Sequence, residues 1–280
     1  MAIWLASMAR PPQTSGPPLA SRAEPGHGAA MRRKARQASK AENRPRFWGR
    51  HPVAAALANP ERDVVRLWAT REAAASLELD RAIPVTFADV ADLGRLVPRD
   101  APHQGLVAEV ERLPDRLLAD LLDEAEDGRP LLVLDHVTDP HNVGAILRSA
   151  AAFDALGLVT QDRHAPPESG ALAKAASGAL ETVPWVRVVN LARALDEMAA
   201  AGFWRIGLTG EADQLLAEAL GPKRVALILG AEGEGMRQNV EAHCDALARL
   251  PISDRIESLN VSNAAAVALY AARSSAADAG

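Results

Sequence analysis

The chain has 280 residues, 48% hydrophobic and 24% charged, which is normal for a soluble globular protein. Its single cysteine, Cys244, excludes an internal disulfide framework and fits a reducing compartment, and no apolar run is long enough to span a bilayer. The net charge of −5 hides an asymmetry: residues 1–50 hold ten Arg/Lys against two Glu, and the rest hold 21 basic against 34 acidic groups. The acidic body argues against broad nonspecific nucleic-acid binding; the basic arm either attracts polyanions or is a solvated leader.

Residues 1–44 are rich in Pro, Gly, Ala, Ser and Arg without periodicity, so a disordered basic tail is expected. Met1 to Met8 lacks a basic start and is too short for a signal peptide. Met31, just before Arg32-Arg33-Lys34, is an alternative start, and an Arg-rich transit peptide is a further alternative. Residues 45–112 read as a small α/β domain. In it Gly49-Arg50-His51-Pro52 opens a helix, Val64–Trp68 and Gly105–Val110 are strands, and Arg71–Leu77 is a second helix. Residues 113–129 are a charged linker or bridging helix, with Leu117, Leu118, Leu121 and Leu122 at helical spacing. In residues 130–280, strands are expected at Leu131–Leu134, Leu156–Thr160, Trp185–Val189, Trp204–Leu208, Val225–Leu229 and Leu247–Ile252. Helical stretches lie between most of them, so the expected class is α/β, a parallel sheet with helices on both faces.

Three stretches carry polar groups at expected strand ends. In Asp135 to Ala150, Thr138 or Asp139 can cap a helix that has Pro140 in its first turn. At 100° per residue, His141, Gly144, Ala145, Arg148 and Ala152 share one face, a small-residue rim suited to close approach of an anionic backbone, with Asn142 near the free N–H groups of the first turn. In Gly230-Ala231-Glu232-Gly233-Glu234-Gly235-Met236, the glycines let the backbone turn tightly beside a ligand. This is neither a P-loop nor the dinucleotide fingerprint, since no Gly-Lys-Ser/Thr follows and the glycine order is reversed. In Leu250-Pro251-Ile252 and Ser258-Leu259-Asn260-Val261-Ser262, a short strand ends and a capped, Ala-rich helix begins. No Gly-x-Ser-x-Gly elbow and no metal-ligand cluster is present; the seven His are scattered, and His103, His141 and His243 read as structural or contact residues.

Together these stretches resemble the three motifs of the SpoU/TrmH family, S-adenosylmethionine-dependent RNA ribose 2′-O-methyltransferases of the SPOUT class. The likeness covers about residues 128–275, and the region from Phe47, with His103-Gln104-Gly105, is similar to the N-terminal substrate-binding domain of the bacterial 23S rRNA guanosine-2′-O-methyltransferase branch. The resemblance implies a C-terminal trefoil knot, a homodimer, a cytoplasmic enzyme with RNA as partner, and neither metal nor membrane. It implies cofactor contacts at Gly230, Leu250, Leu259 and Thr209, and a catalytic and RNA-contact set of Asn142, Arg148, Glu232, Ser258 and Asn260. Asn263 departs from the small aliphatic residue common after the Ser-Leu-Asn-Val-Ser run, which bears on local packing or the dimer contact.

The chemistry so implied is methyl transfer from a sulfonium to a ribose hydroxyl, in which the protein supplies alignment and electrostatics. A guanidinium stays protonated in proteins, so Arg148 is better read as a cation holding a phosphate and stabilising alkoxide charge than as a literal base. Glu232 would then anchor Arg148 or touch the nucleoside. The alternatives are a tRNA 2′-O-methyltransferase and a noncatalytic RNA-binding ribosome-assembly factor. A nucleotide-dependent oxidoreductase is argued against by the lack of an early Gly-x-Gly-x-x-Gly.

Overall fold

A computed structural model describes residues 44–77, 82–125, 128–221 and 224–278. The arm expected to be disordered lies outside them except for Arg44, whose Nε donates to Glu111 Oε1 at 2.8 Å.

The first elements are β1 (Arg46–Trp48), α1 (Arg50–Ala58), β2 (Val64–Ala69), α2 (Arg71–Ala75), β3 (Val85–Phe87), α3 (Val90–Gly94) and β4 (Leu106–Val110). They form a four-stranded sheet in the order β1-β4-β2-β3, with β4 antiparallel to both neighbours and β2 parallel to β3. A register shift between Val64 and Arg66 lets Val64, Leu67 and Ala69 all reach the core, although strict alternation would separate Val64 from Leu67. Thr70 caps α2 by accepting from Ala73 N, and Asp89 caps α3 by accepting from Asp92 N. Three-residue strands such as β1 and β3 are too short to display a period, which is why sequence patterning passes over them.

Within the expected linker, α4 (Leu118–Asp123) buries Leu118, Leu121 and Leu122, while Leu117 stays 67% exposed. The helix is part of the core, packed in one cluster with Leu191, Leu195 and Met198.

There follow β5 (Leu131–Leu134), α5 (Pro140–Ala152), β6 (Gly157–Gln161), α6 (Gly170–Ala176), a 3₁₀ turn (Ala179–Glu181), β7 (Trp185–Val188), α7 (Leu191–Ala200), β8 (Phe203–Leu208), α8 (Leu216–Ala219), β9 (Arg224–Leu229), α9 (Gln238–Glu241), β10 (Ala246–Ala248) and α10 (Val261–Asp278). The six strands are all parallel, in the order β10-β8-β9-β5-β6-β7. The apolar runs divide by parity. Leu132, Leu134, Leu158, Leu227 and Leu229 join the cluster holding Ile146, Leu147 and Leu269. Leu131, Val133, Val159, Ala226 and Ile228 join the cluster holding Leu195 and Met198. Burial on both faces is why these strands read as continuous hydrophobic runs.

Two expectations are corrected. The last strand ends at Ala248, not Ile252: Arg249 N donates to Gln214 O at 3.0 Å, and Ile252 N turns back to Leu250 O at 2.9 Å. Proline 251, without an N–H, cannot extend the ladder. Gly144 is not part of an open rim but buried, and a Cβ there would stand 2.5 Å from Leu172 O and 2.6 Å from Ala175 Cβ. Its missing side chain lets α5 and α6 touch.

The two sheets meet at Arg62, which is fully buried in the turn after α1. Its Nη1 donates to Glu168 Oε2 at 2.6 Å and Glu111 O at 2.8 Å, and its Nε donates to Glu181 Oε2 at 3.0 Å. Nη2 lies 2.9 Å from Glu181 Oε1, an ion-pair distance without hydrogen-bond alignment. Nearby, a Cβ on Gly170 would overlap the Trp48 ring and the Arg46 carbonyl, so α6 sits directly on β1.

Candidate active site

Adjacent strands β10, β8 and β9 end beside one another, and the loops that follow them are tied together. Thr209 N donates to Ala248 O at 3.0 Å, Leu216 N donates to Arg249 O at 2.9 Å, and a Cβ on Gly210 would come within 4.0 Å of Glu257 O. The loop after β9 folds on itself: Ala231 N donates to Gly235 O at 3.1 Å and Gly235 N to Ala231 O at 3.0 Å. Gly233 and Gly235 hold φ of 81° and 67°, a region that side chains rarely adopt, and a Cβ on Gly230 would overlap the backbone of Gly235 and Met236.

Three residues far apart in sequence converge here. Asn142 Nδ2 donates to Glu232 Oε1 at 3.2 Å, and Asn260 Nδ2 donates to the same oxygen at 2.5 Å and to Asn142 Oδ1 at 3.0 Å. Val261 N also donates to Glu232 Oε1, at 3.3 Å. Asn260 Oδ1 in turn accepts from Ser262 N at 2.9 Å, capping α10. Asn142 itself is placed by the Asp139 cap, whose Oδ1 accepts from His141 N at 3.0 Å. One carboxylate oxygen thus links the start of α5, the glycine loop and the start of α10.

Arg148 lies on α5, six positions beyond Asn142; it is exposed and pairs with no carboxylate among the described residues. Glu232 therefore anchors the two asparagines rather than Arg148. Ser258 is exposed and Leu250 and Leu259 are half-buried in the loop between β10 and α10, and Thr209 is half-buried at the end of β8. Asn263 is exposed on α10.

A second polar group abuts the glycine loop and is not singled out by sequence reasoning. Asp135, fully buried at the end of β5, accepts from Arg237 N and Arg237 Nε, both at 2.9 Å, and Arg237 Nη2 donates to Gln161 Oε1 at 2.9 Å. An aspartate closing an apolar strand run, with an arginine just past a glycine loop, was the available signal. His136 follows with φ of 59°, and its ring lies 3.9 Å from that of His164. Burial, then the Arg237 cation, depress the His136 pKa, against a weaker opposing pull from Asp135 and Glu234. Cys244 is no nucleophile: burial pushes its thiol up to about 12. Among the described residues no group of three His, Cys, Asp or Glu is spaced to hold a metal ion, and no helix is long and apolar enough to cross a membrane.

Comparison with known proteins adds to this geometry. The family model for the SpoU rRNA methylase family matches residues 129–270, and that for RNA 2′-O ribose methyltransferase substrate binding matches residues 47–115. The chain is 36% identical over 239 residues to a 23S rRNA (guanosine-2′-O-)-methyltransferase of Pseudomonas putida, covering 81% of this chain and 95% of that protein. It is 37% identical over 234 residues to an uncharacterized tRNA/rRNA methyltransferase of Synechocystis, of whose length it spans 61%. Among solved structures, a TrmH-family protein from Porphyromonas gingivalis superposes with a TM-score of 0.70 at 27% identity, covering 86% of this chain and 93% of that one. The SpoU methyltransferase AviRb from Streptomyces viridochromogenes, solved with AdoMet, shares the fold at a TM-score of 0.72 and 24% identity, covering 86% and 92%.

Proposed function

The chain belongs to the SpoU rRNA methylase family, and we propose that it methylates the ribose 2′-hydroxyl of a guanosine in 23S rRNA. It is an RNA ribose-2′-O-methyltransferase with S-adenosylmethionine as donor. The observation that carries the reading is the meeting of Asn142, Glu232 and Asn260 on one carboxylate oxygen at the carboxyl edge of the parallel sheet. Ligands of open parallel sheets sit at such edges.

The residues present fit the donor. A Cβ on Gly233 or Gly235 would meet nothing within 4 Å, so the loop backbone stands open beside the loops holding Thr209, Leu250 and Leu259. Those loops, with Gly230, would hold it through backbone groups, and once bound it supplies an electrophilic methyl on a sulfonium. The chain's own part is alignment. Glu232 keeps Asn142 and Asn260 fixed relative to each other, and the asparagines, with Ser258, orient the nucleotide. Arg148, permanently charged and without a carboxylate partner among the described residues, holds the adjacent phosphate and stabilises charge developing on the 2′-oxygen. The proton leaves to that phosphate or to water.

The same reading includes a trefoil knot, a homodimer, a cytoplasmic setting, residues 45–112 as the RNA-docking domain and 130–280 as the methyltransferase domain. The Pseudomonas relative's name supports the 23S substrate.

The test is transfer of labelled methyl from S-adenosylmethionine to total RNA of a methylation-deficient strain, with RNA resolved by size and digested to nucleosides. Label as 2′-O-methylguanosine in large rRNA, lost with Arg148→Ala, is the expected result. Label in tRNA would move the substrate, and no label in any RNA would reduce the chain to a binding module.

A further inference from the structure

The small sheet turns its Phe47, Leu67 and Ala108 face to the core. Its other face carries a row in register, Arg46 opposite Glu109 opposite Arg66. Arg46 and Arg66 are exposed, and both lie over the Trp68 ring, at 5.6 and 5.4 Å from its centroid. Beside this row, α3 covers Trp48 and Val107, with Trp68 half-buried at the margin of that cover. Neither Arg46 nor Arg66 reaches a carboxylate among the described residues: Arg46 Nη1 donates to the Leu96 carbonyl at 3.2 Å, and Glu109 is drawn to Arg44 at 3.8 Å. Two exposed cations on one aromatic ring flank a single carboxylate that is drawn to Arg44, so the row keeps an excess of positive charge. In sequence the row is preceded by residues 1–43, with seven Arg/Lys against two Glu.

We propose that this Arg46–Trp68–Arg66 face is a platform for single-stranded nucleotides of the RNA substrate, Trp68 stacking on a base and the two arginines neutralising the flanking phosphates. The proposal rests on the reading of the chain as an RNA methyltransferase and names the surface with which the small domain would dock. Aromatic stacking with interleaved arginines suits unpaired nucleotides, because every base offers a π-face whereas duplex bases are already stacked. The arginine row runs across the strands, so successive phosphates of an extended strand can follow it.

The test measures binding of a labelled uridine dodecamer to the full-length protein across a salt series, beside S-adenosylmethionine binding. The double variant Arg46→Gln/Arg66→Gln is expected to lower the salt slope by about 1.4, as two lost phosphate contacts on a single strand require. Trp68→Leu is expected to weaken dodecamer binding about 10-fold, within the range for one stacked base, and to leave an RNA duplex of equal charge unaffected. Cofactor binding should stay at the wild-type level in both. A double variant that is folded and binds cofactor, yet keeps the wild-type affinity and slope, overturns the platform. Equal loss on strand and duplex with Trp68→Leu overturns the stacking. The binding assay needs no turnover, so wild type that binds the dodecamer but methylates no RNA would sink the proposed activity and leave the platform standing.

Discussion

Two arginines show what the two halves of the molecule ask of a cation. Arg62, at the seam between the sheets, is fully buried and shared by Glu168, Glu181 and the Glu111 carbonyl. Arg148, on the exposed side of α5, has no carboxylate at all among the described residues. A buried charge must be satisfied inside the fold, so its partners are structural by necessity. An exposed guanidinium with no carboxylate among the described residues contributes little to folding and is available to an anion from outside.

The contrast can be broken at either end. The largest effect is expected for Arg62→Ala, which strands two buried carboxylates and should cost about 3–5 kcal/mol in denaturant unfolding. A loss below about 1 kcal/mol would mean the seam is wetter or looser than described. Arg148→Ala should leave the unfolding midpoint unchanged while lowering single-turnover methylation about 100-fold, some 2.7 kcal/mol of transition-state stabilisation. A drop in stability as large as the drop in rate would erase the distinction between the two arginines. Gly144→Val tests the helix contact that sets where Arg148 stands: forcing α5 from α6 should cost about 1–3 kcal/mol, read by thermal unfolding. Asn260→Ala removes the α10 cap and should cost about 1 kcal/mol, with a further loss of activity because Asn142 and Glu232 lose their shared partner.

The smallest effect concerns His136. Its pKa in the fold is depressed below the unfolded value, so the fold favours the neutral ring. Its contribution is present above about pH 6.5 and declines as pH falls through that value, where the unfolded chain takes up a proton that the folded chain resists. An NMR titration of His136 with a midpoint at or above that of a free histidine would reverse the sign.

The architecture of the large sheet was legible because its strands are buried on both faces and therefore apolar without interruption, as Leu131 to Leu134 and Val225 to Leu229 are. The motif residues were legible because glycine, asparagine and proline mark turns and caps chemically, and the Asp139 and Asn260 caps stand where those residue types belong. Gly144 misled because a helical wheel sees one helix at a time, and the partner that covers this glycine lies on α6. Arg62 was invisible for a related reason. An arginine in a polar turn reads as solvated until the two glutamates, more than a hundred residues later, are placed around it.

The seam also bears on how the two halves can be studied apart. A fragment beginning near Pro130 would keep Glu168 and Glu181 but leave Arg62 behind. Two carboxylates that the whole protein holds nearly solvent-free would then face each other across an emptied socket, and the side of α6 that faces β1 would lose the Trp48 ring that lies against Gly170. Loss of activity on excising the small domain would therefore report damage to the catalytic half as much as lost RNA docking. Point changes on the far face of the small sheet, which leave the seam closed, separate the two.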